Sequence, residues 1–440
     1  MRINETELNK VLQNLNIETL NTMQLAALEA DKKDQDFVLL SPTGSGKTLG
    51  FLLPVLNSLN ASQAGIQALI LTPSRELALQ IEQVFRKMGS TYKVNCCYGG
   101  HDVAVEKNNL KHPPALLIGT PGRIADHLKR GRIDALSIKT LVLDEFDKSL
   151  EFGFQEDMGF IINELHSLKK RILTSATQAI EIPDFTGISN PITLNFLKDT
   201  PAQGLCLKSI KSEGTDKLDA LFKLICKLGN DTSLVFCNHI DTVERISSLL
   251  KDKELIHDVF HGGLKQEDRE KALIKFRNGS SKLLITTDLA ARGLDIPEIK
   301  NIIHYQLPHK EDGFIHRNGR TARMNASGTS YLLLSENDFI PDYIKQKPIE
   351  EALGQNTKLP DFPDWATIYI GGGRKDKISK MDIVGLLLQK GNLLKEELGL
   401  IELQDFSAFA AVKRSKIRTT VELLKAEKLK KKKYKIEISD

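Results

Sequence analysis

A lysine, a hydroxyl and two adjacent acids stand in this chain at the spacing that phosphate chemistry needs. The loop Ser41-Pro42-Thr43-Gly44-Ser45-Gly46-Lys47-Thr48 follows an apolar run, Phe37–Leu40, and precedes an apolar segment that opens at Leu49. A buried strand, a glycine loop and a helix in that order form the context of a phosphate cradle. Gly44 and Gly46 permit a close turn whose backbone N–H groups face phosphate oxygens, and the helix start adds partial positive charge there. Thr43 and Ser45 complete the loop. Lys47 is expected on the β- and γ-phosphates, and Thr48 on a Mg²⁺ ion through its hydroxyl. Ser41 stands where the strict pattern has glycine. Further on, the apolar run Leu141–Leu143 ends in Asp144-Glu145-Phe146-Asp147. Asp144 fits the acid that completes Mg²⁺ coordination. Glu145 is placed to orient or deprotonate an attacking water.

A second cluster lies at His316-Arg317-Asn318-Gly319-Arg320-Thr321-Ala322-Arg323. Three arginines at spacings of three would act as arginine fingers if they faced a γ-phosphate. Read alone, the cluster also fits a basic surface helix. At the N-terminal end, Asn21-Thr22-Met23-Gln24 opens a helix, and Gln24 reads equally as a capping-box residue or as a ligand of the nucleotide.

The elements that must position these groups are legible as alternating apolar strands and helices. Ala68–Thr72, Ala115–Ile118, Leu141–Leu143 and Arg171–Thr174 read as strands, and a helix runs from Pro73 to about Met88. Alternation of this kind predicts a parallel sheet covered on both faces, with ligands beyond the carboxyl ends of its strands. A linker is expected from Asn195 to Gly214. A second domain of the same plan then follows, without a glycine-rich phosphate loop of its own. The domains are expected at 1–200, 208–358 and 364–440.

The last of these has its own character. From Trp365 to the C-terminus there are 17 Lys/Arg against 10 Asp/Glu, net +7, while the rest of the chain holds 44 against 47, net −3. The basic excess is therefore all C-terminal, which points to a polyanion as partner. The order of elements reads βαββαβ, an RRM-like α+β domain, with Tyr369, Phe406 and Phe409 only loosely at base-stacking positions. Lys430–Lys433 reads as a structural or phosphate-contact run. Five cysteines without a CxxC pair suggest neither a zinc site nor disulfides and fit a reducing, cytoplasmic setting. No apolar run approaches the ~18 residues of a membrane span, and no membrane partner is expected.

From residue 20 to about 335 the chain resembles the DEAD-box family of ATP-dependent RNA helicases. Gln24 matches that family's adenine-reading glutamine, and Ser41–Thr48 its phosphate loop. Pro73 and Arg75, Gly99 and Gly100, and Thr120, Gly122 and Arg123 match the RNA-backbone motifs of the first domain. Asp144–Asp147 stands at the name-giving motif, here DEFD, and Ser175-Ala176-Thr177 at the motif coupling ATP to RNA. In the second domain Gln266 and Arg269 match QxxR, Thr286, Asp288, Arg292 and Asp295 fall in the fifth motif, and His316, Arg320 and Arg323 in the sixth. The tail resembles the RNA-binding domain of DbpA-type members through Tyr369–Ile378, Asp382–Gly385 and Ala411–Arg414. The resemblance implies two RecA-like domains and an ATPase with Mg²⁺ as cofactor. RNA closes the domains and brings Arg320 and Arg323 onto the γ-phosphate, and duplexes are opened locally. It also implies a monomer with a structured large-subunit rRNA element and pre-ribosomal particles as partners. Lys375, Lys377, Lys413 and Arg414 are the expected tail contacts. An ATP-gated RNA clamp would keep the same motifs. Three positions depart from the pattern: Phe146 replaces alanine and needs a larger pocket, Asn318 replaces an apolar residue, and Glu7 stands where an aromatic residue is usual.

Overall fold

The computed structural model describes residues 4–33, 35–42, 44–100, 103–177, 182–197, 205–290, 299–321, 328–354 and 358–439. Thr43, Arg292, Asp295 and Arg323 lie outside them. The chain divides into two compact units, with the break after residue 203.

In the first unit, seven described strands run parallel in the order Val94–Cys97, Leu116–Gly119, Ala68–Leu71, Thr140–Leu143, Lys170–Ser175, Phe37–Leu40, Ile192–Asn195. Alternate side chains of these strands supply two separate cores. Phe37, Leu39, Ile70, Ile118 and Val142 pack on one face. Val38, Leu40, Leu69, Leu117 and Leu141 pack on the other. That two-sided burial is why the strands read as unbroken apolar runs. Phe146, 1% exposed, joins the second core with Met158 and Ile161, so the room that its ring needs is built in. Glu7 closes a capping box with Asn4 at the start of the helix Glu5–Asn14.

The second unit contains a further parallel sheet, Asp258–Phe260, Leu283–Thr286, Ser233–Phe236, Asn301–His304, Gly328–Leu334, Leu205–Lys211, Ile349–Glu350 in spatial order. Here the expected linker is corrected. Leu205–Lys211 is a strand in seven-residue register with Gly328–Leu334. Its lysines disguise it, and Lys208 is accommodated by an ion pair with Glu351 at 2.5 Å.

The tail belongs to the same unit. It is an antiparallel sheet in the order Leu398–Leu403, Ala408–Lys413, Trp365–Ile370, Ile436–Ile438, with helices Lys380–Gly385 and Ile417–Leu424 on one face. The expected βαββαβ order is present. The lysine run is a tight hairpin: Lys428–Leu429 pairs with Lys432–Lys433, turned by Lys430 and Lys431 at φ +50° and +68°.

Asn318 has a local partner set that explains it. Its Oδ1 accepts from Ser330 Oγ at 2.8 Å and from His304 Nε2 at 3.1 Å, all three residues being buried. Burial first, and then the Arg317 charge, push the His304 pKa down to about 3. The folded protein thus refuses a proton that the unfolded chain takes up below about pH 6.5. Stability is expected to fall as pH drops from that value towards 3. The loss should be on the order of 2 kcal/mol at pH 5 relative to pH 7.5. Thermal unfolding at the two pH values checks this, and His304→Phe should flatten the dependence.

Candidate active site and nucleic-acid interface

The strand Phe37–Leu40 ends at the glycine loop, and the helix Lys47–Ser58 starts directly after it. Gly44 and Gly46 sit at φ +82° and +88°, a region that favours glycine. A Cβ on Gly46 would fall 2.6 Å from Gln24 Nε2. Lys47 is buried, and its ammonium donates to Ser41 O at 2.6 Å inside the loop. Ser41 Oγ donates to Ser45 Oγ at 2.6 Å, which in turn donates to Pro42 O at 2.8 Å. The serine that departs from the strict pattern therefore braces the loop. Both readings of Gln24 bear on this place. Gln24 Oε1 accepts from Asn21 N at 3.0 Å, completing a capping box, and Nε2 reaches Gly46 O at 3.3 Å. Asn21 Nδ2 donates to Ser45 O at 3.0 Å. Helix cap and phosphate loop are thus one hydrogen-bonded piece.

Asp144 and Glu145 lie just past the strand Thr140–Leu143, and both are buried. Burial raises the Asp144 carboxyl above the usual carboxylate range, against the opposing pulls of the Thr174 hydroxyl and of Lys47. Thr174 Oγ1 donates to Asp144 Oδ1 and accepts from Glu145 N at 3.2 Å. Glu145 is held at φ +46°, a conformation uncommon for a residue with a side chain that turns the chain into the short helix Phe146–Glu151. A buried carboxylate, a half-buried Thr48 hydroxyl and Lys47 make a hard-oxygen and cation set that fits Mg²⁺ with polyphosphate. Ser175 Oγ accepts from Thr177 N at 3.0 Å and donates to Thr177 O at 2.9 Å, folding the coupling motif into a closed turn. Ser41 N donates to Ser175 O at 3.1 Å, so the turn begins beside the phosphate loop.

The RNA motifs of the first unit converge. Ser74 caps the helix Arg75–Lys87, placing Pro73 and Arg75 at its start. The Arg75 guanidinium lies over Gly100: a Cβ there, at φ +81°, would be 2.3 Å from Arg75 Nη1. Gly99 adjoins it, with open space among the described residues where its Cβ would stand. Thr120 stands at the N-cap position of the helix Pro121–Lys129, which contains Gly122 and Arg123. Arg123 Nε donates to Tyr98 O at 3.2 Å and lies 3.4 Å from Glu106 Oε2. Glu106 also accepts from Tyr98 N at 3.0 Å and pairs with His127 Nε2 at 2.8 Å. Cys97 Sγ joins this buried cluster. Its thiol is pushed up to about 12 by burial and then by the Glu106 charge, so it stands as a neutral thiol beside that carboxylate. The cluster fixes Arg123 against the Tyr98–Gly100 turn.

In the second unit Gln266 and Arg269 start the helix Gln266–Arg277 and bond to one another, Arg269 Nη2 to Gln266 Oε1 at 2.6 Å. Three expectations change. Thr286 is fully buried and its hydroxyl donates to Phe260 O at 2.7 Å, so its side chain serves the sheet and leaves nothing for a phosphate. Arg317 is no arginine finger: it is fully buried, gripping Asp288 at 2.6 and 3.1 Å, Gln306 O at 2.6 Å and Asn238 at 2.8 Å. His316 is also fully buried, which suits a positioning role better than contact with substrate. Arg320 lies just past the helix Glu311–Asn318, which carries His316 and Arg317, and is 4% exposed.

In the tail, Lys375 and Lys377 are exposed, on the loop after Trp365–Ile370. Lys413 is half-buried, 4.7 Å over the Trp365 ring and 3.6 Å from Asp364. Arg414 is corrected: it donates to Pro363 O at 2.6 Å, Trp365 O at 2.7 Å and Ser280 O at 3.3 Å, clamping the entry of the tail rather than facing RNA. Part of the sheet face away from the tail helices is covered. Thr367 Oγ1 accepts from Asn278 Nδ2 at 2.8 Å and meets Ser280 Oγ at 2.8 Å. Phe409 and Ala411, on that face, are 5% and 0% exposed. The base-stacking face of an RRM-like sheet is here in part a contact with the second parallel-sheet domain. Phe409 is removed from the stacking candidates, while Tyr369, half-buried on the same face, and Phe406, 68% exposed, remain.

Residues 21–185 match the DEAD/DEAH box helicase family, 216–325 the helicase conserved C-terminal domain, and 367–438 the DbpA RNA binding domain. The chain is 33% identical to the ATP-dependent RNA helicase FAL1 of Meyerozyma guilliermondii over 76% of its length and 85% of that protein. The chain belongs to the DEAD-box ATP-dependent RNA helicases. It is also 29% identical to the ATP-dependent RNA helicase DbpA of Bacillus subtilis, across 97% of this chain and 96% of that one, and the tail makes it DbpA-type. Saccharomyces cerevisiae Dbp5 bound to RNA and ADP BeF3 shares its fold with a TM-score of 0.70 and 27% identity, over 79% of this chain and 93% of that one.

Sequence reasoning about this helicase missed Thr174 and Glu106. Thr174 directly precedes the coupling motif on a strand beside the acidic one, which could have marked it. No local pattern signals Glu106, because its partners lie 8, 17 and 21 residues away along the chain. Glu106→Gln is expected to raise the poly(U) concentration for half-maximal ATPase by about threefold to tenfold, the scale of one charge-assisted hydrogen bond. The KM for ATP should stay within about twofold, because the change leaves the nucleotide site alone. Steady-state ATPase titrations measure both.

Proposed function

We propose that this helicase hydrolyses ATP with Mg²⁺ while opening short duplexes in large-subunit ribosomal RNA, as a cytoplasmic monomer taking part in ribosome assembly. The observation that carries the ribosomal target is the tail. It matches the DbpA RNA binding domain, holds the chain's basic excess and exposes Lys375 and Lys377 on one loop. No described helix is long and apolar enough to cross a membrane.

In this reading Gly44–Gly46 and Lys47 bind the phosphates, and Thr48 with Asp144 would hold Mg²⁺, which neutralises charge on the phosphate oxygens. Glu145 orients the attacking water and accepts its proton. The raised pKa of Asp144 supports the assignment, since a buried carboxyl regains its charge most readily beside a cation. Arg75, Arg123 and Arg269 track the RNA backbone without reading sequence, and the tail tethers that core near one structured site, raising the local concentration of neighbouring helices.

Two experiments test it. Glu145→Gln should lower RNA-stimulated kcat by at least about 100-fold while RNA binding is retained, as for loss of a general base; normal turnover would remove Glu145 from that role. Full-length protein and its Lys375→Glu/Lys377→Glu variant should respond alike to poly(U). Only the unaltered protein should be stimulated by a particular large-subunit rRNA fragment at low concentration. Equal stimulation of both by every RNA would leave a general RNA helicase or clamp.

A further inference from the structure

The helix Gln266–Arg277 meets RNA-reading residues at its start and the tail along its length. Gln266 Nε2 donates to Glu270 Oε1 at 2.9 Å, and Arg269 Nη2 donates to Gln266 Oε1 at 2.6 Å. The second oxygen of the same carboxylate, Glu270 Oε2, accepts from Gln404 Nε2 of the tail at 3.0 Å. Two turns further along, Arg277 makes a two-bond pair with Glu402 at 2.8 and 2.7 Å. Gln404 is itself fixed, since its Oε1 accepts from Ser407 Oγ at 2.9 Å.

The turn that carries Gln404 is also the floor of the basic loop. Arg374 N donates to Gln404 O at 2.9 Å and Lys375 N to Asp405 O at 2.8 Å, while Arg374 Nε reaches Leu403 O at 3.1 Å. A Cβ on Gly373 would lie 2.5 Å from Gln404 O and Asp405 O, so the loop and the turn are in backbone contact. A continuous hydrogen-bonded path therefore runs from the Lys375–Lys377 loop through Gln404 and Glu270 to Gln266 and Arg269.

We propose that Glu270 is a positioning residue through which the tail sets the geometry of the core's RNA-backbone contacts. The tail then does more than tether: it holds Gln266, and through it Arg269, in the rotamers that meet a phosphate. Without the Gln404 amide, the Glu270 carboxylate loses one of the bonds that hold it and gains rotamer freedom, and Gln266 is held less firmly. Ordering these side chains then falls to the RNA, which weakens binding without touching the hydrolytic step. The inference rests on reading Gln266 and Arg269 as RNA contacts.

The test uses the full-length chain, poly(U) as the RNA, and steady-state ATPase. Gln404→Ala should raise the poly(U) concentration for half-maximal ATPase about fivefold, and Gln404→Glu, which sets two carboxylates together, about tenfold or more. For both variants kcat at saturating RNA and basal ATPase should stay within about twofold of the unaltered protein. Gln404→Lys keeps an N–H donor for Glu270 and should restore half-saturation to within about twofold. Unchanged half-saturation in the alanine and glutamate variants overturns the proposal. So does a lysine variant as impaired as the glutamate one, because that marks a packing site. Arg269→Ala separates the two layers. If it weakens poly(U) binding while the Gln404 variants do not, the relay fails and the RNA reading stands. If it has no effect, the RNA reading fails and the relay with it.

Discussion

The strand Lys170–Ser175 is the constraint on which the ATP site depends. On one side it pairs with Phe37–Leu40, which launches the phosphate loop, and on the other with Thr140–Leu143, which ends in the two acids. Its last residues serve both neighbours. Thr174 orients Asp144 and Glu145 through one hydroxyl, and Ser175 receives the first N–H of the phosphate loop on its carbonyl. A parallel sheet alone brings three strand ends, distant in sequence, to one edge with their side chains in fixed alternation. A slip of one residue in this strand would turn Thr174 to the other face and take away the shared ligand of both acids. The coupling motif begins at that same point, so whatever moves Ser175–Thr177 is felt in the phosphate loop through a main-chain hydrogen bond.

Departures from the expected motifs are answered locally. Phe146 is absorbed by a core with Met158 and Ile161. Asn318, polar where an apolar residue is usual, meets a polar pair, His304 and Ser330, and the three satisfy one another. Ser41, in place of glycine, bonds Ser45 across the loop. For Asn318 and Ser41, a buried polar group that would be costly alone is matched by a second polar group. The arginines of the sixth motif divide by the same logic. Arg317, fully buried, is spent on Asp288, Asn238 and a carbonyl, and so acts as a strut within the second domain.

The tail shows how a familiar arrangement of strands can be put to another use. Its sheet face, where RRM-like domains stack bases, carries Thr367 and Glu402 against the helix Gln266–Arg277 and the Asn278–Ser281 turn. Thr367, Asn278 and Ser280 form a buried polar junction in which all three side chains are satisfied, and such a junction specifies one docking geometry. The surface left for RNA is accordingly made largely of loops, the Lys375–Lys377 segment and the turn with Phe406. The Lys375–Lys377 segment lies over that turn, which touches Glu270 through Gln404.

The sequence by itself determined the family, the two-sided parallel sheets and the βαββαβ tail, and it marked the candidate phosphate and acid residues. Those features rest on local periodicity and on short motifs in which every participant lies within a few residues of the next. Only the tertiary structure decided the rest. Leu205–Lys211 is a strand because Gly328–Leu334 lies beside it and Glu351 neutralises Lys208. Thr286, Arg317 and Arg414 turned from candidate contacts into internal struts because burial and carbonyl partners claim their polar atoms. Glu106, Thr174 and Glu270 gained roles through partners held on separate elements. A side chain's chemistry is written in its type, but whether that chemistry faces solvent, substrate or another side chain is settled by which element packs over it.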